Sequence, residues 1–169
     1  MISVIVPVYN EERALPNTLT QLCQHSGDYE IIAVDGGSSD ATLEVLAGFS
    51  EVRVLTAPKG RASQMNAGAA AAQGEWLLFL HADTQLPPRA LSRLNDWESE
   101  EEIQAGGFRH RFSGNRWSLR FVSWLDNLRC RITRIIYGDQ AMFVRRRLFQ
   151  QLGGFPEDIA MEDVAFGEK

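Results

Sequence analysis

Four polar clusters in this 169-residue chain carry side chains able to do chemistry. His81-Ala82-Asp83 puts an imidazole and a carboxylate two residues apart. In an extended segment such a pair points the same way and can share one divalent cation. These donors suit Mn²⁺ at least as well as Mg²⁺. A structural hydrogen-bonding histidine is the plainer alternative. Val34-Asp35-Gly36-Gly37-Ser38-Ser39-Asp40 follows a carboxylate with two glycines. Asp35 can accept from a base N–H or a ribose hydroxyl, the glycines admit a ligand close to the backbone, and a helix start favours phosphate. The same residues also read as a strand, a turn and a helix cap supplied by Ser39 or Asp40. Pro7-Val8-Tyr9-Asn10-Glu11-Glu12 is a polar turn in which Asn10 or a neighbour can cap a helix. Glu162-Asp163 offers a general base toward a hydroxyl, or merely a solvated acidic pair. Neither the Gly-Lys-Ser/Thr phosphate loop nor G-x-G-x-x-G is present at these turns.

The elements that must position these clusters alternate. Ile2–Val8, Glu30–Val34, Val52–Thr56 and Trp76–Leu80 are short apolar runs and read as buried strands. Arg13–His25, a segment over Leu43–Phe49, and Ala62–Gln73 read as the helices between them. Continuous apolar strands alternating with helices indicate a mostly parallel open sheet, flanked by helices, in an α/β fold. Ligands bind such sheets beyond the carboxyl ends of the strands. Tyr9–Arg13, Asp35–Asp40 and His81–Asp83 are therefore expected around one crevice. Beyond Pro88 a helix to about Ser99, a strand over Ile103–Arg111, a strand over Ala141–Val144 and a helix over Arg145–Leu152 are expected. Trp117–Tyr137 reads as a basic amphipathic helix, with Trp117, Phe121, Trp124 and Leu128 near one stripe.

Composition narrows the class. A content of 44% hydrophobic and 23% charged residues is globular. No apolar run is long enough to cross a membrane as a helix, and no basic leader precedes the first strand, so no secretory signal is expected. Cys23 and Cys130 lie far apart and are expected to be reduced and structural. The net charge is −5, but residues 1–108 carry 6 basic and 15 acidic groups, whereas residues 109–147 carry 10 arginines against Asp126 and Asp139. That asymmetry points to a local anionic partner for the middle segment, not to nucleic acid. A solvated arginine-rich face is the alternative.

In their order, the four clusters resemble a family 2 glycosyltransferase of GT-A (Rossmann-like) fold. Pro7–Glu12 is similar to the family's opening motif, and Val34–Asp40 to V-D-D-G-S-x-D, with Gly36 in place of the second aspartate. Gly60-Arg61-Ala62-Ser63-Gln64-Met65-Asn66-Ala67-Gly68 resembles G-x-x-x-A-x-N-x-G. His81-Ala82-Asp83 occupies the D-x-D position, with His81 in place of the first aspartate, and Gly153-Gly154-Phe155 followed by Glu162-Asp163 resembles the G-G-F…E-D ending. The variants Asp-Gly-Gly-Ser and His-Ala-Asp-Thr resemble a microbial subfamily associated with radical-SAM and selenium-domain genes.

The resemblance implies one GT-A-like domain over residues 1–169, with a nucleotide-binding half at 1–85 and an acceptor-side half at 86–169, whose family usually continues further. It implies a nucleotide-diphosphate sugar donor, commonly UDP-linked, a divalent cation (Mn²⁺ or Mg²⁺), and transfer with inversion to an acceptor hydroxyl. Pro7, Tyr9, Glu11, Asp35 and Gly36 would then line the base and ribose pocket, Arg61 would lie near the diphosphate, and Asn66 and Ala82 would complete the donor site. Asp83 and His81 would hold the metal. Asp163 would be the catalytic base, with Glu162 beside it. The basic segment 117–137 would face a lipid-linked or other anionic acceptor, or the inner face of the membrane of a cytoplasmic protein; a core or dimer helix is the competing reading. A non-catalytic nucleotide-sugar-binding module is the alternative function. A sugar-phosphate nucleotidyltransferase is disfavoured, because the acidic Glu11-Glu12 stands where it needs a basic, glycine-rich loop.

Overall fold

The computed structural model describes residues 1–100, 102–108 and 141–157. The expected helix at 117–137, the tail of the expected strand at 109–111, and the Glu162-Asp163 pair lie outside these residues.

Six strands form one sheet in the order β3-β2-β1-β4-β6-β5. They are β1 (Ile2–Val8), β2 (Tyr29–Asp35), β3 (Val52–Thr56), β4 (Trp76–Phe79), β5 (Ala105–Gly107) and β6 (Met142–Arg145). Strands β1 to β4 are mutually parallel, with Val8 beside Asp35 and Asp35 beside Thr56. The other side departs from an all-parallel pattern. β6 runs antiparallel to β4, pairing Leu78 with Phe143, and β5 runs antiparallel to β6. Helices α1 (Leu15–Leu22), α2 (Thr42–Ala47), α3 (Arg61–Ala71), α4 (Ala90–Asp96) and α5 (Arg146–Gln151) flank the sheet, and a 3₁₀ turn at Trp97–Ser99 follows α4.

Successive strand residues face opposite layers, so the core is double. On one face Val4, Val6, Ile31 and Leu78 meet Leu15, Leu19, Leu46 and Leu91. On the other face Ile5, Ile32, Leu77 and Phe79 meet Met65, Ala69 and Phe149. Burying each such large aliphatic chain contributes about 1.5–3 kcal/mol. The small residues of α3 let it lie close to the sheet: a Cβ on Gly68 would stand 2.4 Å from Cγ2 of Ile5. The sequence pattern locates every described element, and the ends differ by a few residues. Helix α1 is shorter than Arg13–His25, because Pro16 suits a helix's first turn and starts it late. β3 is the sheet edge; its Val54 is exposed, so it is not buried on both faces.

One buried cation ties the antiparallel side together. Arg145 is 6% exposed. Its guanidinium donates to Glu75 Oε1 at 2.5 Å and to the backbone carbonyls of Trp97, Glu98, Glu100 and Ile103 at 2.9–3.3 Å. Its Cζ also stacks 4.1 Å from the centroid of a Trp76 ring. Most of these partners are backbone carbonyls, and Glu75 is half exposed. The expected result is asymmetric. Arg145→Met should cost about 1–3 kcal/mol by removing a buried donor fork from the Glu98 and Ile103 carbonyls, while the Trp97 and Glu100 carbonyls keep backbone N–H partners; Glu75→Gln should cost under about 1 kcal/mol. Urea denaturation of the two variants checks this, and equal losses would refute it.

Candidate active site

A crevice of about 360 Å³ opens beyond the carboxyl ends of β1 and β4. Pro7, Val8, Tyr9 and Glu11 line it from the end of β1. Lys59, Gly60, Arg61 and Gln64 line it from the start of α3, and His81, Ala82 and Asp83 from the loop after β4.

The loops around it are held by hydrogen bonds written into the polar clusters. Asn10 takes the left-handed conformation (φ 56°), which asparagine tolerates. Its N–H donates to Ser38 Oγ at 2.9 Å, and its Oδ1 accepts from the Ser39 N–H at 2.8 Å. The Glu11 N–H donates to Thr42 Oγ1 at 2.8 Å, and Glu12 Oε2 accepts from the Ala41 N–H at 3.0 Å. The first two clusters therefore dock on one another. Asp40 accepts from the N–H and hydroxyl of Thr42 at 3.0 and 2.5 Å, which holds the start of α2. On the β4 side, the Thr18 hydroxyl of α1 donates to the Ala82 carbonyl at 2.6 Å and fixes the loop that carries His81 and Asp83.

Of the residues expected on the donor or metal, Pro7, Tyr9, Glu11, Arg61, His81, Ala82 and Asp83 are together in the crevice wall. Three others lie elsewhere. Asp35 is 2% exposed and its carboxylate serves its own turn, accepting from the Gly37 N–H at 2.9 Å and from the Ser38 N–H and hydroxyl at 3.1 and 2.5 Å. Gly36 backs onto the side-chain amide of Gln64. Asn66 looks away from the crevice. Its amide donates to the Phe155 carbonyl at 2.9 Å and to Glu157 at 3.1 Å, and its Oδ1 accepts from the Phe155 N–H at 2.9 Å. Asn66 thus clamps the Gly153-Gly154-Phe155 turn onto α3. Glu162 and Asp163 lie beyond the described residues.

Lys59 and Gln64 were not among the expected site residues. The Lys59 ammonium sits 3.9 Å from the centroid of the Tyr9 ring, a cation–π contact at the crevice edge. Gln64 had a readable signal: it falls on the apolar face of α3 with Met65 and Gly68, where an unpaired amide would be costly.

Electrostatics divides the crevice into two ends. At one end Lys59 and Arg61 flank the amino end of α3, where unpaired N–H groups favour an anion. At the other end lie Glu11 and Asp83. Desolvation raises the pKa of Glu11 above the ordinary carboxyl range, and the charges of Asp83 and Asp40 add to the rise. Such repulsion favours a cation. No group of three or more His, Cys, Asp or Glu side chains is gathered for a metal among the described residues. Asp83 and His81 can supply ligands from one side of the crevice, so the donor set fits an ion that draws its remaining ligands from a bound molecule.

The family model for glycosyl transferase family 2 matches residues 3–153. The chain belongs to this family. It is 34% identical over 166 residues to a PGL/p-HBAD biosynthesis glycosyltransferase of Mycobacterium tuberculosis, covering 92% of this chain and 63% of that protein. It is 33% identical over 137 residues to the undecaprenyl-phosphate 4-deoxy-4-formamido-L-arabinose transferase of Proteus mirabilis, covering 75% of this chain and 42% of that protein. The chain thus spans less than two thirds of either relative. Residues 1–349 of Staphylococcus aureus TarS superpose with a TM-score of 0.79 at 22% identity, over 98% of this chain and 53% of that one. The mannosyltransferase PcManGT of Pyrobaculum calidifontis, in complex with GDP-Man and Mn²⁺, also gives 0.79 at 22% identity, over 98% and 50%. The fold is therefore GT-A, and the family is one of glycosyltransferases. No helix among the described residues is long and apolar enough to cross a membrane.

A carboxyl whose pKa is raised on folding stabilises the fold only while protonated, and that contribution is lost as pH climbs through the raised value. Glu11→Gln, neutral throughout, should melt higher than the parent at pH 7. The gain should stay under about 1 kcal/mol, because the side chain is only partly buried. The advantage should vanish below about pH 4, the ordinary range of glutamate. Thermal melts across pH check this; equal melting at pH 7 would mean that neither desolvation nor the charges of Asp83 and Asp40 penalise the Glu11 carboxylate.

Proposed function

We propose that this chain is the donor-binding and catalytic part of an inverting glycosyltransferase. It takes a sugar from a nucleoside-diphosphate sugar, UDP-linked in the first instance, and transfers it to an acceptor hydroxyl. The observation that carries this reading is the order of groups along one crevice. The Tyr9 ring offers a stacking surface for a base, Lys59, Arg61 and the amino end of α3 offer a diphosphate cradle, and Asp83 with His81 offers a cation seat. Related folds solved with UDP, with UDP-GlcNAc, and with GDP-Man and Mn²⁺ support it.

In this reading Pro7, Tyr9 and Glu11 bind the base and ribose. Arg61 and Lys59 bind the diphosphate, a pairing in which charge-assisted hydrogen bonds are strong. Asp83 and His81 would hold a Mn²⁺ or Mg²⁺ ion, which when bound neutralises charge on the leaving diphosphate. Asp163 takes the proton of the acceptor hydroxyl while that oxygen bonds to the anomeric carbon and the carbon–phosphate-oxygen bond breaks. Glu162 supports it. Asp35 acts one step back, by holding the turn that docks against Asn10. Residues 1–85 form the donor half and residues 86–169 the acceptor half. The arginines of 109–147 suit a lipid-linked or other anionic molecule that carries the acceptor hydroxyl. The protein would then work in the cytoplasm against the inner face of a membrane.

Two substitutions test the assignment. Asp83→Asn keeps shape and removes charge, so calorimetry should show donor binding with Mn²⁺ weakened about tenfold or more, with little change in metal-free binding; unchanged Mn²⁺-supported affinity would overturn the metal role. Asp163→Asn should cut turnover about 10²–10⁴-fold with donor affinity kept. Retention of more than about a tenth of parental turnover would exclude Asp163 as the base. Donor binding without any transfer by the parent chain would favour a binding module instead.

A further inference from the structure

The amide of Gln64 is bound on one side and open on the other. Gln64 is 4% exposed, and its Nε2 donates to the Val8 and Val34 carbonyls, each at 2.7 Å. These carbonyls belong to neighbouring parallel strands. The two contacts fix the amide's orientation, because only nitrogen can donate to both oxygens. They also use both of its hydrogens. Oε1 has no hydrogen-bond partner among the described residues. The space that Gln64 lines is the crevice. A nearly buried side chain thus presents one unused acceptor to the ligand site.

Two neighbours make that acceptor rigid. A Cβ on Gly36 would stand 3.0–3.1 Å from Cδ, Nε2 and Oε1 of Gln64, roughly equidistant from all three. Gly36 therefore packs on the flat face of the amide, and a Cβ there would push on it. Asp35 and Asn10, which do not line the crevice, spend their acceptors on neighbouring loops: Asp35 accepts from Gly37 and Ser38, and Asn10 Oδ1 from Ser39. Flipping the amide would lose both Nε2 hydrogen bonds and point Oε1 at two carbonyl oxygens, a repulsive contact that remains even though the Val8 carbonyl keeps the Gly36 N–H at 3.0 Å. Gln64 cannot turn donor to suit a different ligand.

We propose that Gln64 is a specificity-determining residue: its fixed Oε1 accepts a hydrogen bond from a ring N–H of the donor's nucleobase, which admits uracil and rejects cytosine. Uracil carries N3–H. Cytosine carries a bare N3 acceptor at the same place, so two lone pairs would face each other with no water between. Tyr9, in the same wall, supplies the stacking surface that brings a base edge to this depth. The inference rests on the nucleoside-diphosphate reading of the crevice and adds to it the residue that reads the base.

The test compares UDP, CDP and N3-methyl-UDP on the parent protein by calorimetry, with Mn²⁺ present. UDP should bind about 10- to 100-fold more tightly than either of the others, the cost of a buried acceptor left unpaired. Equal affinities for UDP and CDP would overturn the role of Gln64 and leave the nucleotide site standing. Failure of UDP, CDP, GDP and dTDP alike to bind would overturn both. Gln64→Met should then bring the UDP-to-CDP ratio close to one, with folding checked by its melting curve. Gly36→Ala provides a second variant that keeps both carbonyl contacts within reach: by pushing on the amide it should shrink the ratio several-fold. A full UDP preference in a folded Gln64→Met or Gly36→Ala protein would refute the assignment.

Discussion

The binding crevice depends on how the last carbonyls of β1 and β2 are satisfied. A carbonyl oxygen can accept two hydrogen bonds, so even paired strand ends keep acceptor capacity at a ligand site. Here one side chain adds a bond to each: Gln64 of α3 donates to Val8, which also accepts from the Gly36 N–H at 3.0 Å, and to Val34. The helix is thereby pinned over the strand ends, which sets where its first turn, with Gly60 and Arg61, meets the crevice. Its approach is possible because Gly68, one turn further on, leaves space for Ile5. The same helix carries Asn66, which grips the turn at Phe155. Helix α3 therefore links three things: the strand ends, the crevice, and the segment that runs on toward Glu162 and Asp163.

The other edge of the sheet solves a different problem by related means. After β4 the chain leaves the parallel pattern and returns as antiparallel β6, with β5 outside it. The short β5 has few ladder contacts of its own. Arg145 compensates by collecting carbonyls from the 3₁₀ turn and the residues before β5. Arginine suits this role because its planar fork offers several donors and is always charged. Gln64 and Arg145 are both buried polar side chains whose main partners are backbone oxygens. The neutral amide stands at the ligand site, and the charge stands away from it.

Much of this was legible in the residues. β1 and β3 were bounded correctly, because each is a short apolar or β-branched run between strong breakers. Two of the three loops, Tyr9–Arg13 and His81–Asp83, meet at the crevice, because the ends of parallel strands converge, whereas Asp35–Asp40 docks on Asn10–Glu12 and does not line it. The antiparallel turn was hidden: more than thirty residues separate Phe108 from Ala141, and no local pattern reveals the direction of return. The site was only half legible for a related reason. Asp35 and Asn66 have side chains that could bind a ligand, and sequence cannot tell whether a carboxylate meets a ligand or the N–H groups of its own turn. In the structure each has backbone partners, from Gly37 and Ser38 in one case and from Phe155 in the other. Gln64 was overlooked for the opposite reason, since its neutral amide has no chemistry until its partners are known.

Gly36 and His81 stand where the resembled motifs carry aspartates, and the structure supplies separate physical reasons for them. At position 36 the reason is steric. The amide of Gln64 lies 3.0–3.1 Å from where a Cβ would stand, so a methyl must push it by a few tenths of an ångström and an aspartate side chain by more. Gly36 and Gln64 are therefore one joint choice, and exchanging either alone should be worse than exchanging both. At position 81 the reason is electrostatic. Glu11 already bears the charge of Asp83, and a carboxylate at 81 would bring a further like charge to the same wall. An imidazole there does not add that repulsion. The acid end is left with Glu11 and Asp83, and Lys59 and Arg61 face it from the start of α3. That separation of charge gives a phosphate-bearing ligand one preferred direction in the crevice, with its anionic part held between the two cations and whatever neutralises Asp83.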